Sequence, residues 1–175
     1  MTKIELSFDM FSAYSYLAFV QLTQCQGKCK SKFELVYTPV NLMMLFKESG
    51  NVAPILCGNK KKYIGVDLKR EFKRHNVDYN EDMKNFQKVM MNSAINANYL
   101  VLHAINSKFD KLEELIKTIW DKFVAKSVDI SDISELQKIA NEVGFLQNES
   151  LNDIIKKGDL DKQLTENTKR ICQLG

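Results

Sequence analysis

Phe8-Asp9-Met10-Phe11-Ser12-Ala13-Tyr14-Ser15-Tyr16-Leu17 is the stretch on which the fold reading turns. Upstream of it, residues 3–10 alternate strictly: Ile4, Leu6, Phe8 and Met10 are apolar, and Lys3, Glu5, Ser7 and Asp9 are polar. Period two is the signature of a strand with one buried face. Downstream, Tyr16, Leu17, Val20 and Leu22 supply the apolar face of a helix starting near Ala13 and ending at Gln26-Gly27-Lys28. Ser12 stands at the join, where its side-chain oxygen can accept a hydrogen bond from an orphan amide of the first turn. Phe33, Leu35 and Tyr37 alternate again, so 33–38 is a second strand, closed by Pro39. Strand–helix–strand at this spacing predicts a βαβ unit with parallel strands.

Beyond Pro39 the strand signal stops and helical patterns take over. Leu42 to Lys47 is short and ends at Ser49-Gly50-Asn51; helical patterns are then expected over 60–75, 81–107 and 109–125. In the last of these, Phe109, Leu112, Leu115, Ile116, Ile119, Trp120 and Phe123 form one stripe. Asp132 with Glu135 reads as a capping box for the next helix, which ends at Gly144. Two further helices are expected over 149–157 and 159–173, each followed by a glycine. The expectation is an α/β chain with an unusually small sheet, since two parallel strands alone are marginal in water.

At 175 residues the chain is long enough for one domain with a substantial core. Its net charge of +3 is too small to point to nucleic acid or a membrane surface. No apolar run approaches a membrane span, and Lys3, Glu5 and Asp9 interrupt any leader, so the default location is cytoplasmic. The four cysteines form no Cys-x-x-Cys pair, and His75 and His103 lack metal-ligand spacing, so no metal is expected.

Phe8-Asp9 followed by Ser12-Ala13-Tyr14-Ser15-Tyr16-Leu17 resembles the signature of the 2-hydroxychromene-2-carboxylate isomerase and kappa-class glutathione transferase family. Leu45 to Pro54 resembles that family's Gly-Asn turn. Lys60, Tyr63, Asp67 and Leu68 keep its spacing, Asp129-Ile130-Ser131-Asp132 resembles its Asp-Ile-Ser/Thr segment, and Gln163 to Gly175 resembles the helix before its cis-proline turn. Ala13 departs from the usual proline. The resemblance implies a DsbA-like thioredoxin fold with a helical domain inserted after the second strand: 1–40 the βαβ half, 41–158 the inserted helices, 159–175 a helix returning to the first part. The family continues past the position of Gly175 into further strands and a final helix, so the chain is expected to lack them.

The resemblance also implies a site. Ser12 and Ser15 occupy the places where thiol oxidoreductases of the superfamily carry cysteines; a serine offers no thiolate, which excludes disulfide chemistry there. Ser12, at a helix N-terminus, would donate to the thiolate of glutathione and lower its pKa, against the plainer reading of an N-cap alone. Asn51 and Lys60 would hold glutathione, against a turn residue and a solvated lysine. Tyr14, Tyr16 and Asn92 would face the substrate, against packing and capping roles. The implied partners are glutathione and a small-molecule substrate, with no nucleic acid or membrane; a homodimer is left open. The leading function is a glutathione-dependent isomerase acting on conjugated, aromatic-derived substrates. The alternatives are a kappa-like transferase, which uses the same parts, a truncated relic or binding module without activity, and, weakest, a thiol oxidoreductase using Cys25 and Cys29.

Overall fold

Two short strands carry a shell of helices. The computed structural model describes residues 1–28, 32–80, 89 and 94–174. Strand β1 (Thr2–Phe8) and strand β2 (Phe33–Pro39) pair in parallel, with Thr2 opposite Phe33 and Phe8 opposite Pro39, and helix α1 (Ala13–Lys28) makes the crossover between them. Among the described residues this is a two-stranded sheet. Leu6 and Phe8 are buried as the alternation requires, and Met10, just beyond the strand, is fully buried. The strand stops at Phe8 because side chains then take over the backbone's partners. The Met10 N–H donates to Asn98 Oδ1 at 3.0 Å, and Trp120 Nε1–H donates to the Met10 carbonyl at 3.0 Å.

The remaining described helices are α2 (Leu42–Glu48), α3 (Gly58–Arg74), α4 (Ile95–Asn106), α5 (Leu112–Val124), α6 (Ile133–Glu142), α7 (Leu151–Lys156) and α8 (Asp159–Cys172). A single turn of 3-10 helix, Pro54–Leu56, precedes α3. Most of the 81–94 part of the expected 81–107 helix lies outside the described residues. The helix expected from Phe109 begins at Leu112 instead. The reason is local: Lys108 adopts a positive φ of 51°, and the Phe109 N–H returns to the Ala104 carbonyl at 3.0 Å, which closes α4 in a Schellman turn and spends Phe109 on a ring contact with Phe145. At α6 the capping box is half made. Asp132 accepts from the Ser134 N–H at 2.8 Å, while Glu135 pairs with Lys138.

One hydrophobic cluster joins β1, α1, α3 to α8 and Val89. Its centre is Trp120 on α5, whose ring meets Phe8, Phe19 and Tyr16 at centroid distances of 5.4, 5.4 and 5.3 Å. Helix α8 is fastened across the end of β2. Thr168 Oγ1, fully buried, accepts from the Asn41 N–H at 2.9 Å and donates to the Leu164 carbonyl at 2.7 Å. Asn167 donates to the Pro39 carbonyl at 3.2 Å, and Arg170 forms an ion pair with Glu5 on β1.

Candidate functional site

The turn after β1 is built by one buried carboxylate. Asp9 accepts from the Phe11 N–H at 2.9 Å with Oδ1 and from the Leu42 N–H at 2.8 Å with Oδ2. It therefore ties the entrance of α1 to the first residue of α2. Burial raises its pKa above the ordinary aspartate value, while the two backbone donors and Asn98 oppose that rise. Asn98, 1% exposed, adds a second tie: it accepts from Met10 and donates to the Val40 carbonyl at 3.2 Å. Two polar side chains with no sequence proximity thus fix the loops at the ends of both strands.

On this frame Ser12 enters α1. Its N–H donates to the Asp9 carbonyl at 2.9 Å, its carbonyl accepts from the Tyr16 N–H at 3.1 Å, and its Oγ accepts from the Ser15 N–H at 3.1 Å. Ser12 is an N-cap, as its local sequence reads. An accepted hydrogen bond uses a lone pair of Oγ and leaves the hydroxyl proton, and among the described residues no acceptor claims that proton. Capping and donation are therefore compatible in the same side chain.

Ser12 opens on a cavity of about 430 Å³. The far wall comes from α2 (Leu42, Met43, Phe46), from the Ala53 to Leu56 turn, and from Ile64 and Leu68 of α3. Tyr14 completes the near wall. Its hydroxyl donates to Asp67 Oδ2 at 2.7 Å, bridging α1 to α3, and burial together with the neighbouring Asp67 carboxylate pushes its pKa well above the ordinary phenol value. Tyr14 is a neutral phenol whose proton is already committed.

The other expected site residues are distributed unevenly. Tyr16 is separated from Tyr14: it turns into the core at 1% exposure, stacks on Trp120 and donates to Asp121, because an i, i+2 step on a helix points to a different face. Of the two readings given for Tyr16, substrate-facing and packing, its position in the core is that of a packing residue. Asn51 is exposed in the turn after α2, where its Oδ1 accepts from the Val52 N–H at 2.8 Å, two residues before the cavity wall begins at Ala53. Lys60 is exposed in the first turn of α3, one turn before Ile64. Asn92 lies outside the described residues, as does Cys29, the expected companion of the exposed Cys25. Among the described residues no cluster of His, Cys, Asp and Glu has a metal-site arrangement, and no helix is long and apolar enough to cross a membrane.

Sequence reasoning passed over the roles of Asp67 and Asn98. Asp67 acts across 53 residues and left no local signal. Asn98 did leave one: it is a lone amide inside the buried run Ala97 to Leu102.

A family model described as the DSBA-like thioredoxin domain matches residues 3–175, and the chain belongs to that family. Among curated proteins, the chain is 27% identical over 176 residues to "Glutathione S-transferase kappa 1" of Homo sapiens, covering 98% of this chain and 76% of that protein. It is 24% identical to the protein of the same name in Rattus norvegicus, again over 98% and 76%. Among solved structures, it matches 2-hydroxychromene-2-carboxylate isomerase with a TM-score of 0.79 at 14% identity, over 98% of this chain and 80% of that one. A putative protein disulfide isomerase from Nitrosomonas europaea matches with a TM-score of 0.68 at 11% identity, over 99% and 79%. The structural likenesses establish the fold, a DsbA-like thioredoxin arrangement with many helices on a small sheet.

Proposed function

We propose that this DSBA-like thioredoxin chain is a glutathione-dependent enzyme of the isomerase or transferase type, with Ser12 holding the glutathione sulfur. The observation that carries the reading is Ser12: its hydroxyl caps α1, no acceptor takes its proton among the described residues, and the residue lines a largely apolar cavity. A hydroxyl donor beside the positive end of a 16-residue helix favours an anion there. The relatives named as glutathione transferases supply the choice of anion, the glutathione thiolate. A charge-assisted hydrogen bond of this kind is worth about 1.5–3 kcal/mol, which lowers a thiol pKa by about 1–2 units.

The chemistry follows from a stabilised thiolate. Its sulfur lone pair forms a bond to the β-carbon of a conjugated substrate, and the displaced π pair moves onto the carbonyl oxygen as an enolate. Rotation about what is now a single bond, then re-formation of the double bond with departure of the thiolate, gives isomerisation. Protonation of the enolate carbon by water instead gives the conjugate. Ser12 serves both directions because it stabilises the sulfur as an attacking and as a leaving group. In this reading Asn51 and Lys60 sit beside the wall-forming segments as the amide and the cation that hold glutathione. Tyr14 walls the substrate side, and Asn92 is a further substrate contact.

Isothermal titration of the full chain with glutathione tests the reading. Saturable binding that Ser12→Ala weakens, accompanied by ultraviolet thiolate absorbance at neutral pH, is the expected result. Absence of binding, or thiolate absorbance unchanged in Ser12→Ala, overturns it.

A further inference from the structure

Helix α3 concentrates the positive charge of the chain. It carries seven Lys and Arg residues against Asp67 and Glu71, a surplus of five. The whole chain has a surplus of three, so everything outside α3 is net negative by two. The modest total conceals a strong local charge. Both anions of the helix are half-buried and engaged: Asp67 accepts from Tyr14 at 2.7 Å, and Glu71 meets His75 at 3.6 Å and Arg74 at 3.8 Å. Leu68 and Phe72 bury the inner face. Lys62, Val66, Arg70 and Lys73 follow one another at steps of three or four residues, so they share the opposite face, and all are exposed. Among the described residues Lys62, Arg70 and Lys73 form no ion pair.

Exposed apolar surface adjoins this basic face. Apart from Met1 and Leu174, every exposed large apolar side chain among the described residues belongs to the entrance of α1 or to the segment from α2 to α3: Tyr14, Met43, Val52, Leu56, Tyr63 and Val66. Tyr14, Met43 and Leu56 line one cavity, and Val52 precedes its wall residue Ala53. Tyr63 lies one helical turn before Asp67, which holds Tyr14, and Val66 lies three residues after Tyr63. These side chains therefore form one neighbourhood. Grouped apolar exposure of this kind marks an interaction surface.

The combination restricts the partner. Leu56, 69% exposed, gains nothing from a sugar–phosphate backbone. A second copy of the chain presenting the same face would set cations against cations. An acidic protein would need a depression matched to each projecting side chain. An anionic bilayer needs no shaped counterpart. Its headgroups supply mobile negative charge, each nearby Lys or Arg adding about fivefold in affinity, and its acyl region opens around aliphatic side chains. Tyr63 has the amphipathic ring that suits headgroup depth.

We propose that the α3 face docks on a bilayer rich in anionic phospholipid, with Lys62, Arg70 and Lys73 at the headgroups and Leu56, Tyr63 and Val66 entering the interface. The chain lies on such a surface rather than across it, since among the described residues no helix is long and apolar enough to cross a membrane.

Flotation of the full chain with vesicles tests this. Pure phosphatidylcholine is compared with phosphatidylcholine holding about one third phosphatidylserine. No glutathione is added, so the outcome is independent of the Ser12 reading. Binding to the anionic vesicles is expected to be at least about 100-fold tighter than to the neutral ones, and to weaken steeply as salt is raised. Lys62→Gln/Arg70→Gln/Lys73→Gln is expected to weaken it about 100-fold, at about fivefold per charge. Tyr63→Gln/Val66→Gln is expected to weaken it about tenfold without changing its salt dependence. All of these positions are exposed, so both variants should match the parent in Tm and circular dichroism. No binding to anionic vesicles, equal binding to both kinds, or unchanged affinity in either variant overturns the inference. Binding of poly-glutamate or duplex DNA without binding of vesicles also overturns it, and assigns the face to an acidic protein or to nucleic acid instead. Self-association that the triple substitution abolishes, without vesicle binding, overturns it in favour of a second copy.

Discussion

One pair of substitutions separates the capping seen at Ser12 from the contact with the glutathione sulfur proposed for it. Its Oγ accepts from the Ser15 N–H at 3.1 Å, and Ser12 is one of the residues that line the cavity. Ser12→Ala removes the cap and the proposed contact together. Loss of an N-cap acceptor costs about 0.5–2 kcal/mol; Ser12 is half-buried, so water can reach the released amide, and about 1 kcal/mol is expected. For a chain of this size that lowers Tm by about 2–4 °C. Ser12→Asp keeps the acceptor, since aspartate is as good a cap as serine and its charge complements the helix N-terminus. Its stability should stay within about 0.5 kcal/mol of the parent. The chemistry behaves in reverse. In Ser12→Ala the thiol of bound glutathione should titrate about 1–2 pKa units higher, and in Ser12→Asp higher still, because a carboxylate repels the thiolate. Urea unfolding measures the first effect and the pH dependence of ultraviolet thiolate absorbance the second. Equal destabilisation by alanine and aspartate would refute the capping account. An identical thiol titration in all three proteins would refute the contact with sulfur.

Three further outcomes follow from the frame around Ser12. Asp9→Asn presents an amide donor to one of the two backbone donors at Phe11 and Leu42, so unfolding in urea should show a loss of about 1–3 kcal/mol. Because burial raises the Asp9 pKa, the folded state holds that proton more strongly than the unfolded chain. Its contribution therefore makes stability fall as pH rises from about 3.9 upward, and the variant should lose that slope; an unchanged slope counts against the burial. Asn98→Ala strips partners from the Met10 N–H and the Val40 carbonyl, both inside the core, at about 1–3 kcal/mol each; a loss below 1 kcal/mol would mean that water replaces the amide. Glu5, by contrast, has its pKa lowered by hydrogen bonding to Arg170 and then Thr38. Its stabilisation is present above the unfolded value of about 4.3 and disappears as pH falls through the lower folded value. Arg170→Gln should flatten the acid limb of Tm against pH at low salt, and high salt should shrink the difference because the pair is exposed.

Much of the frame is legible along the chain because it depends on neighbours in sequence. The alternation through Leu6, Phe8 and Met10 encodes β1 and its buried face, although the strand itself ends at Phe8. The stripe from Leu115 to Phe123 encodes a helix buried along one side. Ser12, Asn41, Asp132 and Ser150 each cap the helix that follows them. The errors arose where a local signal met a longer-range competitor. Phe109 fits the stripe of α5 but is taken by the turn that ends α4. Glu135 has the spacing of a capping box but pairs with Lys138 one turn on.

By itself the sequence determined the order of elements, the parallel crossover and the position of Ser12 at a helix entrance, since these rest on period, caps and chain connectivity. The tertiary structure decided what Ser12 faces. Asp9 draws the start of α2 to the Ser12 turn, Tyr14 is clasped to Asp67 on α3, and Tyr16 is sent into the core against Trp120. Each of those contacts joins residues 33 or more apart in sequence. A chain's local pattern specifies which face of an element is apolar but not which distant element covers it. The walls of the cavity, and with them its lack of charge among the described residues, exist only once the helices have packed.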